Sequence, residues 1–86
     1  MKMDKIWSDD AWNDYLAWQQ QDRKTLRRIN RLIKDIDRSG STGIGKAEIL
    51  KGNYSEWFSR KIDKKNRLVY KIKDNQSLIV ACKNHY

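Results

Sequence analysis

Two segments in the first half of the chain carry apolar residues at helical spacing. In the first segment, Trp12, Tyr15 and Leu16 follow Ser8, whose hydroxyl is suited to capping a helix N-terminus. The second segment follows Asp22, another candidate N-cap. Its apolar stripe consists of Leu26, Ile29, Leu32, Ile33 and Ile36. The pattern predicts helices over about residues 9–20 and 23–38, and the near absence of a linker predicts an antiparallel hairpin.

The second half of the chain has the pattern of strands. Three segments, at 57–62, 67–72 and 78–82, are rich in β-branched and aromatic residues and are separated by polar turns. Residues 3–7 can form a short additional strand. We therefore predict a single α+β domain over residues 1–86, with two N-terminal helices packed on one face of a small, mainly antiparallel sheet. The other face, with arginine and lysine at alternate positions, is expected to remain open to a ligand.

Several common kinds of site find no support in the sequence. Cys82 and His85 are the only cysteine and histidine, which is too few for a structural zinc site or an internal disulfide. Cys82 alternates with apolar neighbours and is expected to be a buried strand thiol. The segment 39–45 lacks the Gly-Lys-Ser/Thr of a phosphate-binding loop, so we interpret it as a connector.

The sequence also has no membrane or secretion signal. No segment approaches the ~20 apolar residues of a membrane helix. The N-terminal residues have neither an apolar core nor a small-residue cleavage site. We expect a cytoplasmic protein that has no membrane contact and that uses no metal or cofactor.

The charge of the chain is the first indication of a partner. Lysine and arginine number 19 against 11 acidic residues, which gives a formal net charge of +8. Residues 1–45 contain 9 basic and 7 acidic residues, whereas residues 46–86 contain 10 basic and 4 acidic ones. A basic surface attracts polyanions such as nucleic acids, although it can also serve solubility alone. We expect a polyanion to bind to the C-terminal half.

The basic half also contains side chains that could cleave RNA. Attack of a ribose 2′-hydroxyl on the adjacent phosphate needs a base, a cation for the phosphorane and an acid for the leaving 5′-oxygen. Glu48, flanked by Lys46 and Lys51, is a candidate base. It could equally form a surface ion pair with one of these lysines. Arg67 opens a predicted strand and could bind a phosphate through two hydrogen bonds or be a solvated residue. His85 can donate a proton near neutral pH, although a histidine one residue before the last is often a frayed residue without a catalytic role.

Further residues are candidates for binding rather than catalysis. Four cations need only lie near the RNA backbone to contact it, and each could equally be solvated: Lys51, Arg60, Lys61 and Lys83. Tyr86 could stack on a single-stranded base. Four aromatic residues interleave with the basic ones, and we assign most of them to the core: Tyr54, Trp57, Phe58 and Tyr70.

Several of these segments together resemble the YoeB (Txe) toxins of the RelE superfamily. The most specific are the Gly-Lys-x-Glu-x-Leu-Lys run at 45–51, the Arg-Leu-Val-Tyr strand at 67–70 and the His-Tyr pair at 85–86. Each segment alone would be weak, but their order along the chain is specific. The resemblance extends over nearly the whole length, and it implies a RelE-like microbial ribonuclease fold.

The resemblance also implies a role for each candidate residue. Glu48 would be the general base, Arg67 the phosphate-stabilising cation and His85 the general acid, while Tyr86 would position the substrate. The implied activity is cleavage of mRNA in the A-site codon on the 70S ribosome, which leaves a 2′,3′-cyclic phosphate, or its hydrolysed form, and a 5′-hydroxyl. The implied partners are a YefM-type antitoxin, the operator DNA that the toxin–antitoxin complex binds, and a second copy of the chain.

Three positions depart from the family pattern. Ala47 stands where proline is common, Asn66 where histidine is frequent, and Lys61 where arginine is frequent. They leave the catalytic groups intact and bear on codon preference and turnover. The alternative interpretation is a non-catalytic basic module that binds RNA or DNA, in which Glu48 and His85 would be dispensable.

Overall fold

The computed structural model describes residues 3–40, 42–45, 48–49 and 57–83. In chain order, the elements are β1 (Asp4–Trp7), α1 (Asp9–Gln21), α2 (Arg23–Ser39), β2 (Glu48–Ile49), β3 (Trp57–Lys61), β4 (Arg67–Lys73) and β5 (Gln76–Ala81). The strands form one sheet in the order β1-β5-β4-β3-β2. Both helices pack on one face of this sheet, which confirms the predicted α+β architecture. No helix in these ranges is long and apolar enough to cross a membrane.

The sheet is mixed because its first strand pairs in parallel with its last. The register places Ile6 opposite Leu78 and Trp7 opposite Ile79. The pairs β2–β3, β3–β4 and β4–β5 are antiparallel, so the predicted mainly antiparallel sheet is confirmed. β4 and β5 are joined through Asp74 and Asn75, whose positive φ angles of 52° and 61° are typical of a two-residue type I′ turn.

The two helices begin at the predicted caps and form the predicted hairpin. The Ser8 hydroxyl accepts a hydrogen bond from the Ala11 N–H at 3.1 Å. Asp22 is the only residue between the helices, and its carboxylate caps α2. The Tyr15 hydroxyl donates to the Asn30 side chain at 2.7 Å and ties the helices together. Each helix ends one residue later than predicted, at Gln21 and Ser39.

The core lies between α2 and the middle of the sheet. The apolar stripe of α2 is buried, as its spacing predicted, against residues of β4 and β5 that include Leu68, Tyr70 and Ile79. Trp18 of α1 closes one end, where its indole N–H donates to the Cys82 carbonyl at 2.8 Å. These contacts hold both helices against β4 and β5.

Arg60 is the centre of a buried polar cluster between the sheet and α2. Its side chain is 0% exposed. Its guanidinium forms a salt bridge with Asp35 of α2 and donates to the Tyr70 hydroxyl at 3.0 Å. It also donates to three backbone carbonyls of the segment 40–44. This placement corrects the expectation that Arg60 contacts an RNA phosphate, because the guanidinium has no exposed surface and its hydrogen bonds lie inside the protein.

The connector after α2 has a structural role that its sequence did not reveal. It wraps around the Asp35–Arg60 pair, and the Ile44 N–H donates to the Asp35 carboxylate at 3.1 Å. Gly43 allows this approach, since it has a φ of +117° and a Cβ there would meet Asp35 Oδ2 at 2.0 Å. Backbone groups therefore replace part of the water that the buried pair loses.

We expect the loss of Arg60 to destabilise the fold strongly. In Arg60→Met, Asp35 stays buried and keeps only the exposed cation of Arg38, which should lower the free energy of unfolding by about 3–5 kcal/mol. Arg38→Met is the matched control: Arg38 also pairs with Asp35, at 2.9 Å, but its side chain is 81% exposed. Its loss should cost less than about 1 kcal/mol. Urea unfolding followed by tryptophan fluorescence measures both, and equal losses would contradict the dominance of the buried pair.

The same carboxylate should make stability depend on acidity. Hydrogen bonding from Arg60, assisted by Arg38, Ser39 and the Ile44 N–H, holds the pKa of Asp35 well below its usual value of 3.8. A depressed pKa in the folded state stabilises the fold above pH 3.8, and this contribution is lost as the pH falls below that value. The stability difference between the parent protein and Asp35→Asn should therefore shrink below about pH 4. A difference that stays constant down to about pH 2 would argue against this linkage.

Candidate functional site

The sheet face that the helices do not cover, here called the second face, is lined by alternate residues of β3 and β4. Arg60 of β3 and Tyr70 of β4 lie on the helix side, where they contact each other. Because side chains alternate along a strand, Ser59 and Arg67 lie on the second face. The second face is less open than predicted, since Ser59 is 1% and Arg67 8% exposed.

Three side chains meet on the second face and form the Glu48–Ser59–Arg67 cluster. The register of β2 places Glu48 opposite Ser59. Arg67 Nε donates to Ser59 Oγ at 3.0 Å, and Arg67 Nη2 lies 3.9 Å from Glu48 Oε2. The Glu48 side chain is 59% exposed, whereas that of Arg67 is 10% exposed. An ion pair this long and this accessible adds little to stability, so the cluster is better suited to binding or catalysis than to holding the fold together.

The cluster joins an accessible base to a fixed cation. The Glu48 carboxylate is the exposed member and can accept a proton from a ligand in solvent. The guanidinium of Arg67 is held in one orientation by Ser59, and its fork geometry suits a phosphate. The arrangement can therefore bind an anionic group and remove a proton next to it.

An aromatic ring and two further cations flank the cluster. Lys61 pairs with Arg67 across β3 and β4, and Lys71 pairs with Trp57. The Lys71 ammonium lies 5.5 Å from the centre of the Trp57 ring. All three flanking side chains are half-buried. The second face thus combines positive charge with a ring on which a base could stack.

The other candidate residues are not part of this cluster. Lys83 lies beyond β5 on the helix side, with its ammonium 5.7 Å from the centre of the Trp18 ring. Lys51, His85 and Tyr86 fall outside the described residues, so their predicted roles remain predictions.

Sequence reasoning missed Ser59, Trp57 and Lys71. Trp57 was grouped with the core aromatics, whereas the other two were not considered as site residues. The alternation of side chains along β3 and β4 could have identified them. Each of the three is an even number of residues from Lys61 or Arg67 on the same strand, and therefore lies on the same side of the sheet. Phe58 and Tyr70, by contrast, pack in or against the core, as predicted.

Cys82 and metal ligands add nothing to the site. Within the described ranges, no three histidine, cysteine or carboxylate side chains are grouped so that they could hold a metal ion. Cys82 is 0% exposed, as predicted, and its thiol donates to the Ala11 carbonyl at 3.6 Å. Burial, with a smaller contribution from Asp14, raises the pKa of Cys82 to about 12. The thiol is therefore neutral and unreactive in the folded protein.

Comparison with known proteins gives this geometry a family. The model of one family, described as YoeB-like toxin of bacterial type II toxin–antitoxin system, matches residues 7–86. The chain belongs to the YoeB family. The toxin YoeB of Escherichia coli K12 is 48% identical over 84 residues, which cover 98% of this chain and 100% of that protein. The toxin YoeB of Streptomyces coelicolor is 51% identical over 76 residues, which cover 88% of this chain and 90% of that protein.

Solved structures of YoeB proteins have the same fold. A YoeB dimer from Staphylococcus aureus is 44% identical, covers 100% of both chains and has a TM-score of 0.93. A heterotetrameric YoeB–YefM toxin–antitoxin complex from the same organism is also 44% identical, covers 100% of both chains and has a TM-score of 0.90. YafQ from E. coli, at 15% identity, 98% and 94% coverage and a TM-score of 0.72, has a similar fold. The predicted RelE-like architecture is thereby confirmed.

We expect Cys82 to resist alkylation in the folded protein. Its burial and its raised pKa leave almost no thiolate, so iodoacetamide should modify it only through unfolding. Mass spectrometry should show slow modification in buffer and rapid modification in denaturing urea. Equally fast modification in both solutions would show that the thiol is accessible.

Proposed function

We propose that this protein is a ribosome-dependent endoribonuclease of a type II toxin–antitoxin system, which cleaves mRNA in the ribosomal A site and so inhibits translation. The observation that carries the proposal is the Glu48 carboxylate facing the Arg67 guanidinium at 3.9 Å on the second face. Membership of the YoeB family supports the assignment to a toxin–antitoxin system.

Glu48 acts as the general base in the proposed reaction. Its carboxylate takes the proton of the ribose 2′-hydroxyl, and the 2′-oxygen then forms a bond to the adjacent phosphorus. The bond between phosphorus and the 5′-oxygen breaks, and the 5′-oxygen receives a proton from His85. The products are a 2′,3′-cyclic phosphate and a 5′-hydroxyl. Because side chains supply the base, the cation and the acid, the reaction is proposed to need no metal or cofactor.

Arg67 stabilises the charge that develops on the phosphorane. Its hydrogen bond to Ser59 fixes the guanidinium before substrate arrives, which lowers the cost of reorganisation in the transition state. Lys61 lies opposite Arg67, which supports its proposed contact with a neighbouring backbone phosphate. Tyr86 is proposed to position the substrate, and Lys51 and Lys83 to contact the RNA backbone.

The proposed partners follow from the same family membership. The S. aureus complex of YoeB with YefM supports a cognate YefM-type antitoxin, which would hold this toxin inactive. The S. aureus YoeB dimer supports a homodimer. We further propose that the toxin–antitoxin complex binds its operator DNA, and that the toxin acts in the cytoplasm on mRNA in the 70S ribosome.

Replacement of Glu48 by glutamine should abolish cleavage. The amide keeps the shape of the side chain but cannot accept the 2′-hydroxyl proton, so the rate should fall at least about a hundredfold. The assay uses ribosomes with a defined mRNA and an occupied P site, and primer extension locates a new 5′-hydroxyl end. His85→Ala should show a similar loss.

Asp74→Asn is the matched control for Glu48→Gln. It makes the same carboxylate-to-amide change at an exposed turn residue, and asparagine is well suited to the positive φ there. It should therefore cleave at the parent rate. If Glu48→Gln and His85→Ala also cleave at the parent rate, the acid–base assignment is wrong. Intact mRNA with the parent protein, despite binding, would instead favour the non-catalytic module.

A further inference from the structure

The exposed side of α2 has a continuous row of cations, which we call the α2 ridge. Its members are Arg23, Arg27, Arg31, Lys34 and Arg38, all of them exposed. They follow one another at intervals of three or four residues, so they lie above one another on the same side of the helix. The ridge is about 22 Å long at 1.5 Å per residue.

The α2 ridge lies on the opposite side of the protein from the second face. The buried residues of α2, among them Ile29, Leu32 and Ile36, are about half a turn away from the ridge and pack on the sheet. The second face is the reverse side of that same sheet. The shortest dimension of the molecule is 24 Å. A segment of RNA lying in the candidate site therefore does not reach the ridge directly.

Four of the five charges of the ridge are not neutralised within the described part of the protein. α2 contains seven basic residues and two acidic ones, Asp35 and Asp37. Asp35 faces Arg60 and Arg38, and Asp37 pairs with Lys5 at 2.7 Å. Arg23, Arg27, Arg31 and Lys34 have no ion pair within the described ranges.

A helix face that only needs solvation does not require this arrangement. Like charges at intervals of four residues destabilise a helix, and cations in the first turn oppose the helix dipole. Both unfavourable features occur here, since Arg27 is four residues from Arg31, and Arg23 lies in the first turn. α1 shows the contrast, because its sequence contains three acidic residues and no basic one. The positive charge of the helical layer is thus concentrated on one side of one helix.

We propose that the α2 ridge binds the phosphate backbone of a double-stranded RNA, distinct from the strand that is cut on the second face. The inference rests on the proposed function, in which the protein acts on a ribosome, itself rich in RNA helices. Each strand of an RNA duplex presents phosphates at regular intervals along its length, so several of them can lie near the ridge. Four of the five ridge residues are arginines, whose planar guanidinium suits phosphate oxygens.

A straight, regularly spaced row favours a duplex over an acidic peptide. The buried stripe of α2 and the Asp35–Arg60 pair hold the helix on the sheet, so its cations stand at fixed intervals. A regular array of charges matches the regular array of a nucleic acid backbone, which is recognised without reading its sequence. The protein would then lie between two RNA elements, one on the ridge and the other on the second face.

The test compares two triple variants that remove the same charge. The ridge variant is Arg27→Gln, Arg31→Gln and Lys34→Gln, which leaves Arg38 paired with Asp35. The control variant is Lys64→Gln, Lys65→Gln and Lys73→Gln, three exposed lysines outside α2. Binding to a short RNA duplex, and to vacant ribosomes, is measured over a range of salt concentrations. Circular dichroism and thermal unfolding verify that both variants are folded.

The expected result is specific to the ridge. Its neutralisation should weaken binding to the duplex and to ribosomes about tenfold or more and reduce the salt slope by about 2–3, whereas the control should change both much less. Cleavage of naked RNA at high enzyme concentration should stay at the parent rate. Unchanged binding by the ridge variant, or equal weakening by both variants, would overturn the proposal. Binding to an acidic peptide is measured in parallel, and a loss confined to that peptide would also overturn the proposal.

The two proposals can fail separately. If the parent protein never cuts mRNA but the ridge variant alone loses duplex binding, the proposed nuclease activity is wrong and the ridge stands. If the parent protein cuts in the A site and the ridge variant cuts and binds ribosomes equally well, the ridge proposal is wrong and the nuclease stands.

Discussion

The buried pair of Asp35 and Arg60 is the interaction on which the rest of the structure depends. A fully buried guanidinium needs a counter-charge and acceptors for its remaining donors. α2 supplies the carboxylate, the connector after α2 supplies carbonyls, and Tyr70 supplies its hydroxyl. One side chain of β3 thereby joins the helical layer, the connector and β4. The hydrophobic stripe of α2 contributes Ile29, Leu32, Ile33 and Ile36 to the core. The pair determines where α2 lies along the sheet.

The candidate site is a consequence of the same constraint. Since Arg60 lies on the helix side of β3, its neighbour Ser59 must lie on the second face, where it accepts a hydrogen bond from Arg67. The pairing of β2 with β3 then brings Glu48 beside both. A shift of β3 by one residue would move Arg60 out of its cluster and Ser59 away from Arg67 together. The strand register that places Ser59 beside Arg67 is therefore fixed together with the packing of Arg60.

Much of the fold could be predicted from the sequence, because its helices and strands have strong local patterns. Local patterns predict the stripe of α2, the caps at Ser8 and Asp22, and four of the strands, β1, β3, β4 and β5. The parallel pairing of β1 with β5 had no local signal, since it joins distant segments. Arg60 was misassigned because its charge suggested exposure, whereas its burial depends on Asp35, which is 25 residues away. Glu48, Lys61 and Arg67 were identified and do lie together. Ser59 was not, because its role is to accept a hydrogen bond from Arg67, which only the pairing of β3 with β4 brings beside it.

The parallel pairing of β1 with β5 bears on how the chain folds during its own synthesis. β1 is made before every other described element, yet its hydrogen-bonding partner, residues 76–81, is made after all of them. The α1–α2 hairpin can form early because its contacts are local, whereas β1 must wait for the sheet. Native sheet order is therefore reached only after β5 has been translated. For a protein proposed to act on ribosomes, this order means that the sheet is still incomplete while the chain is being synthesised on a ribosome.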